Sequence, residues 1–233
     1  MPGRDNQPGA RRSRRVDGTD LPTEEVIVEA AIAAMFENGY HGTSVRQIAD
    51  RAGMSVANVY YYFPSKHDLL FRFMEGSAVG LLAQLEAMVA ATDGDPALRL
   101  GQAVRLFVER HTERQAAAFV AATELRALEP VARAAVITRR NAVEALFRDI
   151  VQQGVADGSF AVGDVGLAVR AILDMASSVS AWYRADGPMS GEQIADRYVE
   201  LALSVVGARA SERSSPARRA PRKRRAPATP RAR

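Results

Sequence analysis

Cysteine is absent from all 233 residues. That absence excludes disulfides, thiolate metal sites and cysteine nucleophiles together, and it suits a reducing cytoplasm, the compartment expected for this chain. Histidine is nearly as scarce: His41, His67 and His111 are the only three, and neither an HExxH nor a GxSxG spacing accompanies them. No metal or other cofactor is therefore expected, and no enzyme activity. Long apolar runs are missing as well. The stretch from Ala168 to Val179 is interrupted by Arg170 and Asp174 and reads as too short to span a bilayer, so no membrane partner is expected. The N-terminal MPGRDNQPGARRSRR has basic residues without an apolar segment behind them, which does not read as a secretory signal.

The net charge of +4 is unevenly spread. Residues 1–20 carry five Arg against three Asp, and residues 207–233 carry ten Lys or Arg against one Glu, so the body between them is net acidic. Both ends are rich in Pro, Gly, Ser and Arg without helical or strand periodicity, and are expected to be a disordered basic arm (1–20) and a disordered Arg-rich tail (207–233). DNA binding by the folded body has to be argued from placed residues rather than from bulk charge.

Within residues 21–206 the long segments are filled by Ala, Leu, Val, Arg and Glu and lack alternating β-branched runs, which predicts an all-α protein of about nine helices. The first helix starts near Thr23 and stops at Gly39, burying Val26, Ile27, Ala30, Ala31, Ala34 and Met35. Ser44 and Gln47 form a capping box for a second helix with Val45, Ile48, Ala49 and Ala52 inward, ended by Gly53. Ser55 caps a short third helix whose inner stripe is Val56, Val59 and Phe63, terminated before Pro64. Two short helices about a Gly-containing turn make a helix-turn-helix, centred on residues 44–66. Further helices are expected at about 66–91, 96–113, 115–128, 130–157, 164–184 and 190–206. The expected division is a DNA-binding domain over 21–67 and a ligand-binding and dimerisation domain over 68–206.

The segment TSVRQIADRAGMSVANVYYYFPSKHDLL resembles the signature of the TetR family of repressors. Thr43 and Ser44 open its second helix, Ile48-Ala49 with Ala52-Gly53 fill it, and Tyr60, Phe63, Ser65, Lys66 and Leu69 close the third. The resemblance covers residues 23–70 and implies an Ω-shaped homodimer of helical subunits, double-stranded operator DNA as partner, and a small-molecule effector, hydrophobic or amphipathic, in the larger domain. It also places phosphate contacts at Thr43, Ser44, Arg46, Tyr60 and Lys66. The residues themselves argue the same interface. A helix enters the major groove only if its outer face is polar or small and its inner face anchored. Ala57, Asn58 and Tyr61 occupy that outer face, and Val56, at the helix start, is a further candidate DNA contact. Asn58 suits a paired contact to adenine, and Ala57 or Tyr61 a thymine methyl; Tyr60, Tyr61 and above all Tyr62 have packing as their alternative. Relatives commonly have Gly or Pro where Ala57 stands, so the operator sequence is not inherited with the family.

The C-terminal half resembles the branch of the family that includes lipid- and sterol-catabolism repressors answering to acyl-CoA thioesters. The likeness is carried by Arg140-Asn141, Gly158 to Phe160 and the Trp182-Tyr183…Gly187-Pro188 corner; the same residues also have a structural reading. Leu173 and Ser177 stand where that branch would place a cation and a bulky aromatic. Candidate ligand residues are Glu124, Arg126 and Arg140 on the central helices, then Asp174, Ser177 and Trp182; structural hydrogen bonding is the alternative for Asp174. The apolar stripes of the last two helices (Val169, Ile172, Met175, Val179, Trp182, Ile194, Tyr198, Leu201, Val205) are too extensive for one subunit and suit a four-helix dimer interface. Against the ligand-responsive repressor stand a non-specific nucleic-acid coater driven by the Arg-rich tails and a small helical enzyme; the patterned third helix disfavours the first and the residue inventory the second.

Overall fold

The structure, a computed structural model, describes residues 14–16, 19–21 and 23–208. The first six of these form a short antiparallel ladder, β1 (Arg14–Val16) on β2 (Thr19–Leu21), with Arg14 opposite Leu21. A disordered arm is thus not what the sequence leads to here: three residues a side pair in a segment without strand periodicity. The rest of the arm and the tail from 209 onward lie outside the described residues.

The remainder is helical. α1 (Thr23–Gly42) opens with Glu24 and Glu25 at its positive end and buries Val26, Ile27, Ala30, Ala31, Ala34 and Met35. Gly39 adopts φ 69° and ψ 168°, a break at the expected stop, after which Tyr40 to Gly42 add a last turn. α2 (Val45–Ala52) carries the full capping box: the Ser44 hydroxyl accepts from the Gln47 amide and the Gln47 side chain accepts from the Ser44 amide. Gly53 closes it at φ 63°, in the left-handed conformation that needs no Cβ. α3 (Val56–Tyr62) is capped by Ser55, and α4 (Lys66–Ala91) by Ser65.

Asp95 and Pro96 start α5 (Pro96–Glu113) as cap and first residue. α6 (Gln115–Thr123) tightens into a 3-10 turn at Glu124–Ala127, and α7 (Pro130–Ala156) follows. The expected eighth helix is divided at Ser178 into α8 (Val165–Ser177) and α9 (Val179–Trp182). α10 (Gly191–Val205) has the second capping box, Ser190 with Gln193. Counted across the α8–α9 division, Val165–Trp182 is an 18-residue apolar stretch, longer than the sequence reading measured. It breaks at Ser178, and 33% of it is buried: Val169, Ile172, Ala176 and Val179 pack in the core with α5, α7 and α10.

Burial divides into two apolar clusters. The first joins α1, α2 and α3 through Ile27, Ile48, Val59 and Phe63, takes in Leu69, Leu70, Phe73 and Met74 from the start of α4, and reaches Ala117, Val120, Leu128 and Val136. It is therefore not confined to the segment before residue 68. The second, around Phe107, Phe147, Ile150 and Ile172, joins α5, α7, α8 and α10 and includes Leu85 from the far half of α4. One 26-residue helix, α4, thus belongs to both clusters.

Candidate nucleic-acid interface and ligand cavity

α3 is held by what it buries. Val59 and Phe63 insert into the first cluster, and Tyr62 and Val56 pack half-buried against it. Tyr62 is therefore a packing residue, and Val56 has only part of its surface free. The opposite face carries Ala57 and Asn58, exposed, and Tyr61, 82% exposed, with Tyr60 at 49%. Asn58 gives its backbone N–H to the Ser55 hydroxyl, and its carboxamide has no partner among the described residues. The Tyr61 ring meets Tyr62 edge-on at 5.1 Å, which limits its motion without covering it. Ser44 is exposed at the first turn of α2, and Arg46 beside it forms no ion pair among the described residues; Arg51 on the same helix is held by Glu37 at 2.6 Å.

Two expected phosphate anchors are committed elsewhere. Thr43 is buried, and its hydroxyl faces the Ala34 and Gly39 carbonyls at 3.0 and 2.8 Å, where it closes the end of α1 rather than meeting DNA. Lys66 turns inward too: its Nζ donates to the Tyr40 and Thr43 carbonyls, both at 2.6 Å, and lies 4.1 Å from the Tyr40 ring centre. The ammonium thus ties down the turn that follows α1, adding a second donor to the Tyr40 carbonyl, which also accepts the Thr43 backbone N–H at 3.2 Å. Burial lowers the Lys66 pKa, and the negative charge of Glu124 partly offsets this.

A cavity of about 870 Å³ lies between α1 and the helices α4 to α8. Arg140, Asp174 and Ser177 line it, as do Leu173 and Asn141. The other three expected ligand residues do not. Glu124 sits on the 3-10 turn with Oε1 beside Gly39, facing the end of α1. Arg126 is exposed on that turn. Trp182 is half-exposed on α9, stacked on Tyr198 of α10 with centroids 6.5 Å apart, on the outer face of the last helices.

The residues that sequence reasoning missed come from α5. His111 and Arg110 line the cavity. The His111 ring stacks on Phe107 and its Nδ1 lies 2.7 Å from the Phe107 carbonyl, so that nitrogen carries the proton. Burial lowers the His111 pKa; the hydrogen bond to Phe107 opposes this, while Arg110 and Arg140 add to it. The signal was present: position 111 continues the buried stripe Leu100, Val104, Phe107, Val108. At the cavity wall two ion pairs tie α1 to the body, Glu24 with Arg72 on α4 and Glu29 with Arg114.

Known proteins share this architecture. Residues 27–73 match the family model described as bacterial regulatory proteins, tetR family, and residues 93–206 match the tetracyclin repressor-like C-terminal domain. The HTH-type transcriptional repressor KstR2 of Mycobacterium tuberculosis is 29% identical over 194 residues, 82% of this chain and 96% of that one. The structure of that ketosteroid transcriptional regulator is similar with a TM-score of 0.75, at 27% identity over 84% of this chain and all of the other. A bacterial regulatory protein in the tetR family from Rhodococcus RHA1 gives a TM-score of 0.74 and 32% identity, covering 81% of this chain and 98% of its own.

Proposed function

Because the chain belongs to the TetR family of bacterial regulatory proteins, we propose that it is a cytoplasmic repressor that binds a palindromic operator as a homodimer and is released by an amphipathic small molecule. The observation that carries this reading is the outward face of α3. Asn58 and Tyr61 stand exposed on a helix whose inner face is fixed by Val59 and Phe63, as major-groove reading requires. In this reading residues 21–67 act on DNA and 68–206 bind ligand and dimerise. Asn58 reads an adenine edge, Ala57 and Tyr61 meet thymine methyls, and Ser44, Arg46 and Tyr60 approach phosphates.

Release follows from the shared wall. α1 contributes Glu24, Glu25, Val28 and Glu29 to the cavity and Ile27, Ala30, Ala31 and Ala34 to the core that holds α2 and α3. A ligand that displaces α1 against α4 moves the recognition helix with it, and two such helices leave the spacing of one DNA turn. The relative described as a ketosteroid regulator supports a lipid-derived or sterol-derived effector.

The test is selection of operator from a random DNA library by the purified full chain. A palindrome with half-sites about one turn apart is expected. Recovery of no preferred sequence overturns the reading. Asn58→Ala is expected to lose about 1–3 kcal/mol of discrimination at one base pair in each half-site, measured by competition with single-site operator variants.

A further inference from the structure

We propose that Arg110 and Arg140 form an anion subsite within the cavity, and that the effector is a free carboxylic acid with an apolar body rather than a neutral lipid or a thioester. The inference rests on the repressor reading only in calling the ligand an effector.

Among the described residues four guanidinium groups line the cavity, and they fall into two kinds. Arg72 and Arg114 are neutralised by Glu24 and Glu29. Arg110 and Arg140 meet no carboxylate among the described residues. Arg110 donates to the Gln84 carboxamide oxygen at 3.1 Å and to the Ser77 carbonyl at 3.2 Å, and Arg140 to the Ala121 carbonyl at 2.7 Å. Such neutral partners aim a guanidinium without cancelling its charge. Both groups have their pKa lowered by burial, and neither gains from a nearby acid; Arg110 is lowered further by Arg114. Wherever another arginine among the described residues is shifted, at Arg51, Arg105, Arg184 and Arg197, a carboxylate raises it.

His111 ties the two together, since the charges of both Arg110 and Arg140 act on it. The carboxylates of the lining do not fill the gap: Glu144 is spent on Arg148 and Arg170, and Glu25 and Asp174 are exposed. Two half-buried cations facing one cavity without a counter-ion are costly, and a ligand anion removes that cost. A carboxylate also matches the planar fork of a guanidinium. Around the pair the wall is apolar, with Phe73, Met74, Leu81, Phe107, Val143 and Leu173, and 870 Å³ is within the range that encloses drug-sized ligands. A thioester would offer this site a neutral carbonyl and carry its phosphates at the far end of a long arm.

The test is calorimetric titration of the full chain with decanoate, decanamide and decanoyl-CoA, and with cholanoate, its amide and its CoA thioester. For at least one of the two bodies the acid is expected to bind roughly tenfold or more tightly than its amide, and Arg140→Gln and Arg110→Gln each to bring the two within about threefold. Equal affinity of acid and amide, binding of the thioester alone, or no binding across both series overturns the proposal. If one variant fails to fold, the other and the acid–amide comparison on the unaltered protein still decide. Operator gel shifts on the same preparations separate the two ideas. A chain that selects an operator but ignores ligand charge defeats only the subsite, whereas one that discriminates charge without an operator defeats only the repressor reading.

Discussion

Lys66 shows how a single side chain changes meaning once its surroundings are known. A lysine just beyond the recognition helix reads as a phosphate anchor, yet its ammonium is spent on the Tyr40 and Thr43 carbonyls. Lys66→Met, which keeps most of the stem, is expected to cost about 1.5–3 kcal/mol of stability, seen as a lower urea midpoint. The salt slope of operator binding should stay within about half a unit, where loss of a phosphate contact would lower it by about one. His111 carries the other residue-scale expectation. Its folded pKa is lowered by burial, so the unfolded chain binds the proton more readily. Stability is then full above the ordinary histidine value of about 6.5 and falls as the pH drops below it. Urea midpoints at several pH values should show this decline, and His111→Gln should flatten it. The carboxylates held below their ordinary range among the described residues, Asp157 by Ser159, Glu37 by Arg51 and Asp186 by Arg184, titrate at lower pH and do not confuse the comparison.

Among the elements, α7 offers the sharpest constraint. Gly154 is buried in its last turns, and a Cβ there would lie 2.2 Å from the Phe160 ring, which folds back over the helix end. Gly154→Ala should therefore cost about 1–3 kcal/mol despite the higher helix propensity of alanine, measured by denaturant unfolding. Helix starts and stops were legible because caps are local: Ser44 with Gln47, Asp95 with Pro96 and Ser190 with Gln193 need only their own neighbours. The division of α8 from α9 at Ser178 was not legible. Nothing in AILDMASSVSAW breaks the helical pattern, and Gln115, from the start of α6, holds the chain beyond the break by donating to the Ser180 and Tyr183 carbonyls.

For the whole molecule, the face left open on the last helices matters most. Of the stripes expected to pair between subunits, Val169, Ile172, Val179 and Ile194 are buried within one subunit's own core, whereas Trp182, Leu201 and Val205, joined by Leu167 on α8, stay exposed. A four-helix interface with a second copy covers such a face. Leu167→Glu combined with Leu201→Glu is expected to give a monomer by light scattering, and to weaken operator binding by roughly a hundredfold or more as the paired half-sites are lost. The proposed ligand response belongs to the same scale: α1 is both a wall of the cavity and a support of α3, the one helix through which occupancy would reach the DNA-facing side.

The sequence by itself determined most helix starts and stops, the helix-turn-helix and the outward face of α3. All three depend on periodicity and capping within a few residues, and these survive without a partner segment. Only the tertiary structure decided which polar groups are free. Thr43 and Lys66 are consumed by carbonyls at the end of α1, and Trp182 lies on the outer face. Arg110 and His111, 29 or more residues before Arg140 in the chain, come to share one cavity with it. Hydrogen-bond satisfaction and charge neutralisation depend on distances between segments far apart in sequence, and only packing sets those distances.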